Sequence, residues 1–146
     1  ALGLMGQWGR RFGFRPMLAD GVSASLLAAL LGLSMCVLAG VVHGAGLSSP
    51  SPDLLAWGAG FLLPLVTGAL SQLLPVWRWP GIVTPERQLM RRHLAQAGGW
   101  RSGCWLVSSA AWLGGFRGVA AIFLFVGLLM FLFSLLQAMR VSRSTR

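Results

Sequence analysis

The chain has 146 residues, of which 55% are hydrophobic and only 10% are charged, and its mean hydropathy is +0.72. Soluble domains carry about 25% charged residues, so this composition excludes a water-soluble globule. The apolar content also excludes a disordered chain, and two cysteines are too few for a disulfide-rich scaffold. The composition therefore indicates an integral membrane protein.

The charge is strongly basic, with twelve arginines against three acids and a net charge of +9. The chain has no Lys, Asn or Tyr, whose codons are AT-rich, while Gly, Ala, Arg, Pro and Trp are abundant. This bias is typical of a GC-rich genome, and we infer a bacterial origin. The arginines lie at the boundaries of apolar runs, so we expect anionic lipid headgroups as their partners and no nucleic acid.

The first twenty residues begin with an apolar stretch, 1–5, and continue into a basic segment with Arg10, Arg11 and Arg15. A secretory signal has the reverse order, so we expect no cleavage here. The apolar start resembles the end of an earlier helix. We expect residues 1–146 to form a single membrane domain, compatible with being a fragment of a longer chain.

Two apolar runs follow, each long enough for a membrane-spanning helix, which needs about 20 residues. The first is 22–42 and contains no charge. A Ser/Pro turn at 48–53 should end it, with Asp53 as the cap of the next helix. The second run is 54–77, interrupted by Pro64 and Pro75.

A short amphipathic helix is predicted at about 85–97, because Thr84, Pro85 and Glu86 form a helix-start pattern. Gly98 and Gly99 should end or bend it. Its apolar side and its basic side indicate a helix that lies in the membrane interface. The apolar residues are Leu89, Met90, Leu94 and Ala97, and the arginines expected to contact lipid are Arg87, Arg91 and Arg92.

Two further spans are predicted at about 99–115 and 119–139, joined by a turn at 114–118. The third span includes Arg101 near its start, where a guanidinium can extend to the headgroups. The predicted fold class is therefore all-α, an integral membrane helical bundle with four transmembrane helices and one interfacial helix.

The orientation follows from the arginines, since positively charged loops stay on the cytoplasmic side. Four spans with both termini cytoplasmic place only Arg117 outside, and they place Trp77, Trp79 and Trp100 near the inner interface. We expect a multi-pass protein of the bacterial inner membrane. The arginines expected inside are Arg10, Arg11, Arg15, Arg78, Arg87, Arg91, Arg92, Arg101, Arg140, Arg143 and Arg146.

Small residues recur at every fourth position of the first span. Such a ridge lets another helix approach closely, within the chain or from a partner subunit. The alternative is a chance repeat in an Ala- and Gly-rich chain. The ridge consists of Ala24, Ala28, Gly32, Cys36, Gly40 and Gly44.

The second span carries small and polar residues on one side. The carbonyls four residues before its prolines lose their usual donor, so they need partners such as the hydroxyls of Thr67 and Ser71, or water. This pattern predicts a kinked helix, which either shapes packing or lines a path for a solute. The residues concerned are Pro64, Thr67, Ser71, Gln72 and Pro75.

His43 and His93 are the two imidazoles able to bind haem or a metal. The predicted topology separates them by one bilayer thickness, so within one copy they cannot ligate the same haem. A lone histidine at a helix end is more often solvated or capping. Cys36 and Cys104 lie at different depths, which argues against a disulfide and favours buried thiols.

The stretch Gly60–Pro75 resembles a helix in the catalytic subunit of haem-copper oxidases and in the NnrS-like membrane proteins, over about 25 residues. Those families place a metal-ligating His near the start of this helix, where this chain has Ala56. The resemblance therefore implies a similar helix architecture and transfers no oxidase chemistry to any residue here.

No nucleophile with a base, no phosphate loop and no carboxylate pair is present in the sequence, so no catalytic residue is predicted. The leading hypothesis is a non-catalytic structural or assembly element of a larger membrane protein or complex, whose partners are lipids and other transmembrane helices or subunits. No cofactor is predicted. One alternative is a haem- or copper-binding membrane protein that uses His43, and another is a small-solute transporter or channel along the second span.

Overall fold

A computed structural model describes residues 21–47, 54–81 and 84–144 of this chain. The described residues form helices and turns without a strand. The Ser/Pro turn with Asp53 and the basic segment with Arg10, Arg11 and Arg15 lie outside the described residues, as does Arg146. The described ranges contain five helices, α1 (Gly21–Gly44), α2 (Leu54–Arg78), α3 (Pro85–Ala95), α4 (Gly98–Leu113) and α5 (Arg117–Ser144).

Three of these helices are long and apolar enough to cross a membrane, namely Ser23–Gly44, Leu54–Arg78 and Arg117–Arg140. Their bounds agree with the predicted first, second and fourth spans to within a few residues. Helix α4 coincides with most of the predicted third span, but it has only 16 residues. At 1.5 Å per residue it is about 24 Å long.

The long helices alternate in direction. Ser25 and Gly32 of α1 approach Gly68 and Gly60 of α2, so these two helices are antiparallel. Ser25 also bonds to Ser102 at the start of α4, which therefore runs parallel to α1. Helix α5 returns antiparallel to α4. One end of the bundle thus holds the start of α4 and the ends of α2 and α5.

Small and hydroxylated residues fill the interior of this bundle, and large apolar residues cover its outside. Buried positions include Ala24, Ala28, Ser108 and Ser109, whereas Leu38 is 67% exposed and comparable side chains cover α5. A water-soluble protein has the opposite distribution. Close packing through small residues with an apolar exterior is typical of helices in lipid. The packing therefore agrees with the composition, and both indicate a membrane protein.

Helix α3 begins as its sequence predicts, because Thr84 Oγ1 accepts a hydrogen bond from the Arg87 N–H at 3.3 Å and Pro85 occupies the first turn. It ends at Ala95, two residues early. The break comes at Ala97, whose φ of 60° is left-handed, and the two glycines expected to end α3 instead open α4.

The buried side of α3 is narrower than predicted. Met90 and Leu94 are buried, while Leu89 is 43% exposed and Ala97 lies beyond the helix. The buried pair packs against the ends of two long helices, so α3 closes the end of the bundle at which α4 begins. The packing partners are Leu74 of α2, Trp79 directly after α2, and Leu135 and Ala138 of α5.

Candidate functional site

A very close contact between helices joins Gly32 of α1 to Gly60 of α2. A Cβ atom on Gly32 would lie 2.8 Å from the Gly60 Cα and closer still to its carbonyl carbon and oxygen. A Cα–H of Gly32 therefore faces that carbonyl, a weak hydrogen bond that recurs at helix interfaces. No residue with a side chain fits at Gly32 unless the helices separate.

Ser109 of α4 packs against the same point. Its Oγ donates a hydrogen bond to the Ala56 carbonyl at 2.8 Å, and a Cβ on Gly60 would lie 2.9 Å from the Ser109 Cβ. The Cys36 sulfur lies 4.0 Å from the Ser109 Oγ. We name Gly32, Cys36, Gly60 and Ser109 the small-residue junction. Sequence reasoning found the first two and missed Ser109, although the Ser102–Ser109 spacing of two helical turns marks one face of α4.

The junction lies at a wide turn of α2, which is a π-helix from Gly58 to Leu62. Pro64 provides a local cause, because it has no N–H to donate to the Gly60 carbonyl four residues earlier. The Leu63 N–H donates instead to the Gly58 carbonyl, five residues back. The freed Gly60 carbonyl is the one that faces Gly32. At the position where the sequence predicts a kink, α2 thus has a π-turn that lies in the contact with α1.

The two hydroxyl groups of α2 near its prolines are bonded within their own helix. Thr67 Oγ1 donates to the Leu63 carbonyl and Ser71 Oγ to the Thr67 carbonyl, both at 2.7 Å. These hydroxyls therefore do not take up the carbonyls freed by the prolines. Gln72 is half-buried, and the rest of the predicted set is buried: Pro64, Thr67, Ser71 and Pro75.

A second level of contacts joins the same three helices nearer the α3 end. The hydroxyls of Ser25 and Ser102 share a hydrogen bond at 3.2 Å, and a Cβ on Gly68 would lie 2.9 Å from the Ser25 Cβ. Seven residues separate the two levels in α1 and in α4, and eight separate them in α2. The extra residue is accommodated by the wide turn.

The predicted ridge of α1 is covered along only part of its length. Ala24, Ala28, Gly32 and Cys36 are buried against the chain's own helices. Beyond them, Gly40 is half-exposed and Gly44 is exposed, and a Cβ on either would meet nothing within 4 Å. The far half of the ridge is therefore open.

The histidines lie at opposite ends of the bundle. His43 is in the last turn of α1, while His93 lies on α3, and its Nδ1 is buried without a hydrogen-bond partner. Within the described ranges, no three His, Cys, Asp or Glu side chains come together as metal ligands. Cys36 and Cys104 are both free thiols, the first buried and the second half-buried.

The side chain of Arg101 does not extend to the membrane surface as its sequence position predicts. It is 1% exposed and turns into the bundle. The guanidinium carbon lies 5.7 Å from the Trp105 ring centre and 5.1 Å from that of Phe131. Nη1 reaches the Leu94 carbonyl at 3.5 Å, and Nε and Nη2 have no hydrogen-bond partner among the described residues.

The position of α3 and α5 explains this burial. Leu94 is in the last turn of α3, where carbonyls lack a helical donor and attract a cation. The two rings supply cation–π contacts, worth about 2 kcal/mol where water is excluded. Trp105 is itself packed so closely on Gly127 that a Cβ there would lie 2.7 Å from its Cδ1. Trp105 lies one turn from Arg101 in the same helix, but Phe131 and Gly127 belong to α5 and Leu94 to α3, and the sequence did not reveal how these helices pack.

A groove of about 740 Å³ opens at the α3–α4 turn. The turn and the first residues of α4 line one part of the groove. Apolar residues farther along α4, and one residue of α5, line the rest. Trp100 at its mouth is 79% exposed. The lining residues are Ala95, Gln96, Ala97, Gly98, Gly99, Trp100, Gly103, Cys104, Val107 and Phe123.

The three arginines predicted to contact lipid lie on α3. Arg91 and Arg92 are exposed, whereas Arg87 is half-buried and donates through Nη1 to the Gly81 carbonyl at 3.1 Å. Arg87 thus links the start of α3 to Gly81.

Comparison with known proteins found no matching family model, no similar curated protein and no similar solved structure.

Proposed function

We propose that this chain is a non-catalytic, structural or assembly element of a larger membrane complex. One observation carries the proposal: the ridge of α1 continues beyond the helices that cover it, leaving Gly40 and Gly44 open. An open small-residue face lets a further helix approach. The buried hydroxyls support the same reading, because Ser109 and Ser108 donate to carbonyls of α2 and α5 and so hold helices together.

In this proposal the chain crosses a bacterial inner membrane four times, with both termini in the cytoplasm. The alternating helix directions support it, since they bring Arg78, Arg101 and Arg140 to one end and Arg117 to the other. Positive charge is retained on the cytoplasmic side. Helix α3, with its exposed arginines, would lie at the inner interface and contact anionic lipid. Helix α4 would cross as a short span.

The assembly role is tested with a photo-crosslinking amino acid at Val41, which is 64% exposed and adjacent to the open glycines. In native membranes we expect a discrete adduct with another transmembrane subunit or a second copy. Leucine at both Gly40 and Gly44 should abolish the adduct. Gly118→Leu is the matched control, because a Cβ there also meets nothing within 4 Å. An adduct that persists in the double variant contradicts the proposal.

The two alternative functions have weaker support. A haem or copper site at His43 would need further ligands. Among the described residues, His43 does not belong to any group of three or more His, Cys, Asp or Glu side chains that could bind a metal. A Soret band or stoichiometric copper in protein purified in mild detergent, lost in His43→Ala, would favour that alternative. A solute path along α2 would need open polar groups, whereas the hydroxyls of Thr67 and Ser71 are bonded to their own helix.

A further inference from the structure

The position of α3 at the end of the bundle leaves buried polar atoms without partners. The Arg101 side chain is 1% exposed, and among the described residues its Nε and Nη2 have no acceptor. The Nδ1 atom of His93, on α3 itself, is also buried without a hydrogen bond. Burying such groups unpaired is unfavourable. The packed position of α3 is therefore less stable than its apolar contacts alone would make it.

A small apolar cluster holds α3 in this position. Its members on α3 are Met90 and Leu94, which pack on Ala138 of α5 and on the apolar residues around it. The Nη1 atom of Arg101 lies 3.5 Å from the Leu94 carbonyl, a distance at which a hydrogen bond is weak. An amphipathic helix can instead insert its apolar side into the membrane interface. Met90 and Leu94 would then stay out of water after α3 leaves the bundle.

The turn between α3 and α4 is suited to such a movement. Ala97 has a φ of 60°, a left-handed conformation that is unfavourable for alanine. The next two residues are Gly98 and Gly99, and glycine adopts many backbone angles. Release of α3 would allow Ala97 to return to a favourable conformation.

We infer that α3 is a reversible lid over Arg101, closed in this structure, which opens when the membrane surface is anionic. In the open form α3 lies in the interface, and the guanidinium extends on its flexible stem to the lipid phosphates. Arg91 and Arg92 are already exposed in the closed form. The guanidinium of Arg101 is therefore the contact that anionic lipid gains only on opening, and a ligand shifts an equilibrium through such a difference. The inference rests on the interfacial position of α3 proposed above and is independent of the partner of α1.

Thiol labelling in nanodiscs tests the lid, since the reagent reaches both faces of a disc. In a full chain with Cys36 and Cys104 replaced by alanine, a cysteine replaces Ala138, which is 0% exposed and packs beneath α3. The discs contain phosphatidylcholine alone or an equal mixture with phosphatidylglycerol. Gln96→Cys, at an exposed position, serves as the reference for reagent concentration at the membrane surface. Relative to it, we expect Ala138→Cys to react at least about tenfold faster in the anionic discs.

Two kinds of variant serve as controls. Ala120 is also 0% exposed but lies at the other end of α5, so Ala120→Cys should stay protected in both discs. Faster labelling of Ala120→Cys in anionic discs would show a general loosening of the bundle and overturn the lid. Arg101→Met removes the charge at similar length and should abolish the effect of phosphatidylglycerol on Ala138→Cys, whereas Arg101→Lys should retain it.

The remaining outcomes contradict different parts of the inference. Equal rates for Ala138→Cys in the two discs, with Gln96→Cys accessible, would overturn the lid alone. Protection of Gln96→Cys would overturn the interfacial position of α3 and the lid with it. An acceleration that persists in Arg101→Met would overturn the part assigned to Arg101.

A second variant keeps the lid falsifiable if Arg101→Met does not fold. A β-branched residue disfavours the left-handed conformation of Ala97 more strongly than alanine does. In Ala97→Val the closed form is therefore less stable, and Ala138→Cys should react faster than in the unaltered turn even in phosphatidylcholine discs. An unchanged rate would overturn the hinge at Ala97.

Discussion

Alanine at Gly32 should disrupt the packing of α1 on α2. The added Cβ would lie within 2.8 Å of three backbone atoms of Gly60, whereas ordinary contact begins at 3.4 Å. The obstacle is main chain, which cannot turn aside as a side chain does. The two helices must therefore part by at least about 0.6 Å, and farther to clear the carbonyl oxygen.

The cost follows from what this separation breaks. Overpacking a close contact costs about 1–3 kcal/mol, and a backbone obstacle belongs at the upper end. Loss of the Cα–H···O contact to the Gly60 carbonyl adds about 0.5–1 kcal/mol. The higher helix propensity of alanine offsets about 0.5–1 kcal/mol of this cost. We expect Gly32→Ala to lower the free energy of unfolding by about 3 kcal/mol, which corresponds to a fall of roughly 6–12 °C in Tm for a chain of this size.

Gly40→Ala is the matched control, in the same helix and with nothing within 4 Å of the new Cβ. Alanine has the higher helix propensity, by about 0.5–1 kcal/mol, so this variant should be unchanged or slightly more stable. Thermal unfolding in one detergent compares the pair. If Gly32→Ala is as stable as Gly40→Ala, the close approach of α1 and α2 is refuted.

Three further substitutions and one control test other contacts. Ser109→Ala leaves a buried carbonyl of α2 without its donor and should cost about 1–3 kcal/mol in unfolding free energy, whereas Ser34→Ala, on the exposed side of α1, should cost under about 0.5 kcal/mol. Thr84→Ala removes the cap of α3, worth about 1 kcal/mol, and should speed amide hydrogen exchange in its first turn. Gly127→Ala drives a Cβ into the Trp105 ring and should lower Tm and shift the tryptophan emission spectrum.

Each of these three predictions has an outcome that would contradict it. Equal stability of the two serine variants would show that the bond from α4 to α2 does not hold the junction. Unaltered exchange in the first turn of α3 would remove the capping role of Thr84. For Gly127, a variant with the original Tm and emission would show that α5 lies farther from the ring than the structure has it.

Local signals in the sequence fix much of the helix layout. The apolar runs predict α1, α2 and α5 because a membrane span requires continuous apolar residues, and Thr84 with Pro85 predicts the start of α3 because caps act within one turn. The ridge of α1 predicts a packing face. Its extent does not follow from sequence, since only the position of α2 and α4 decides that Gly32 is covered and Gly40 is open.

The remaining features depend on contacts between distant residues. Pro64 predicts a kinked helix. In the structure, the π-turn also has its carbonyls in contact with other helices, because Gly32 packs on the Gly60 carbonyl and Ser109 donates to that of Ala56. The position of Arg101 near a helix start predicts a side chain that extends to the lipid headgroups. It is buried because Phe131, thirty residues later, lies over its guanidinium and α3 brings the Leu94 carbonyl within reach. No local sequence pattern predicts that arrangement.

The four-span topology is tested most directly at the two ends of α4. In a chain with Cys36 and Cys104 replaced by alanine, a single cysteine is placed at Gln96 or at Phe116, both exposed turn positions. A membrane-impermeant thiol reagent is applied to right-side-out and to inverted vesicles. We expect labelling of Phe116→Cys only from outside and of Gln96→Cys only from the cytoplasmic side. Labelling of both from the same side would show that α4 does not cross, contradicting the four-span bundle.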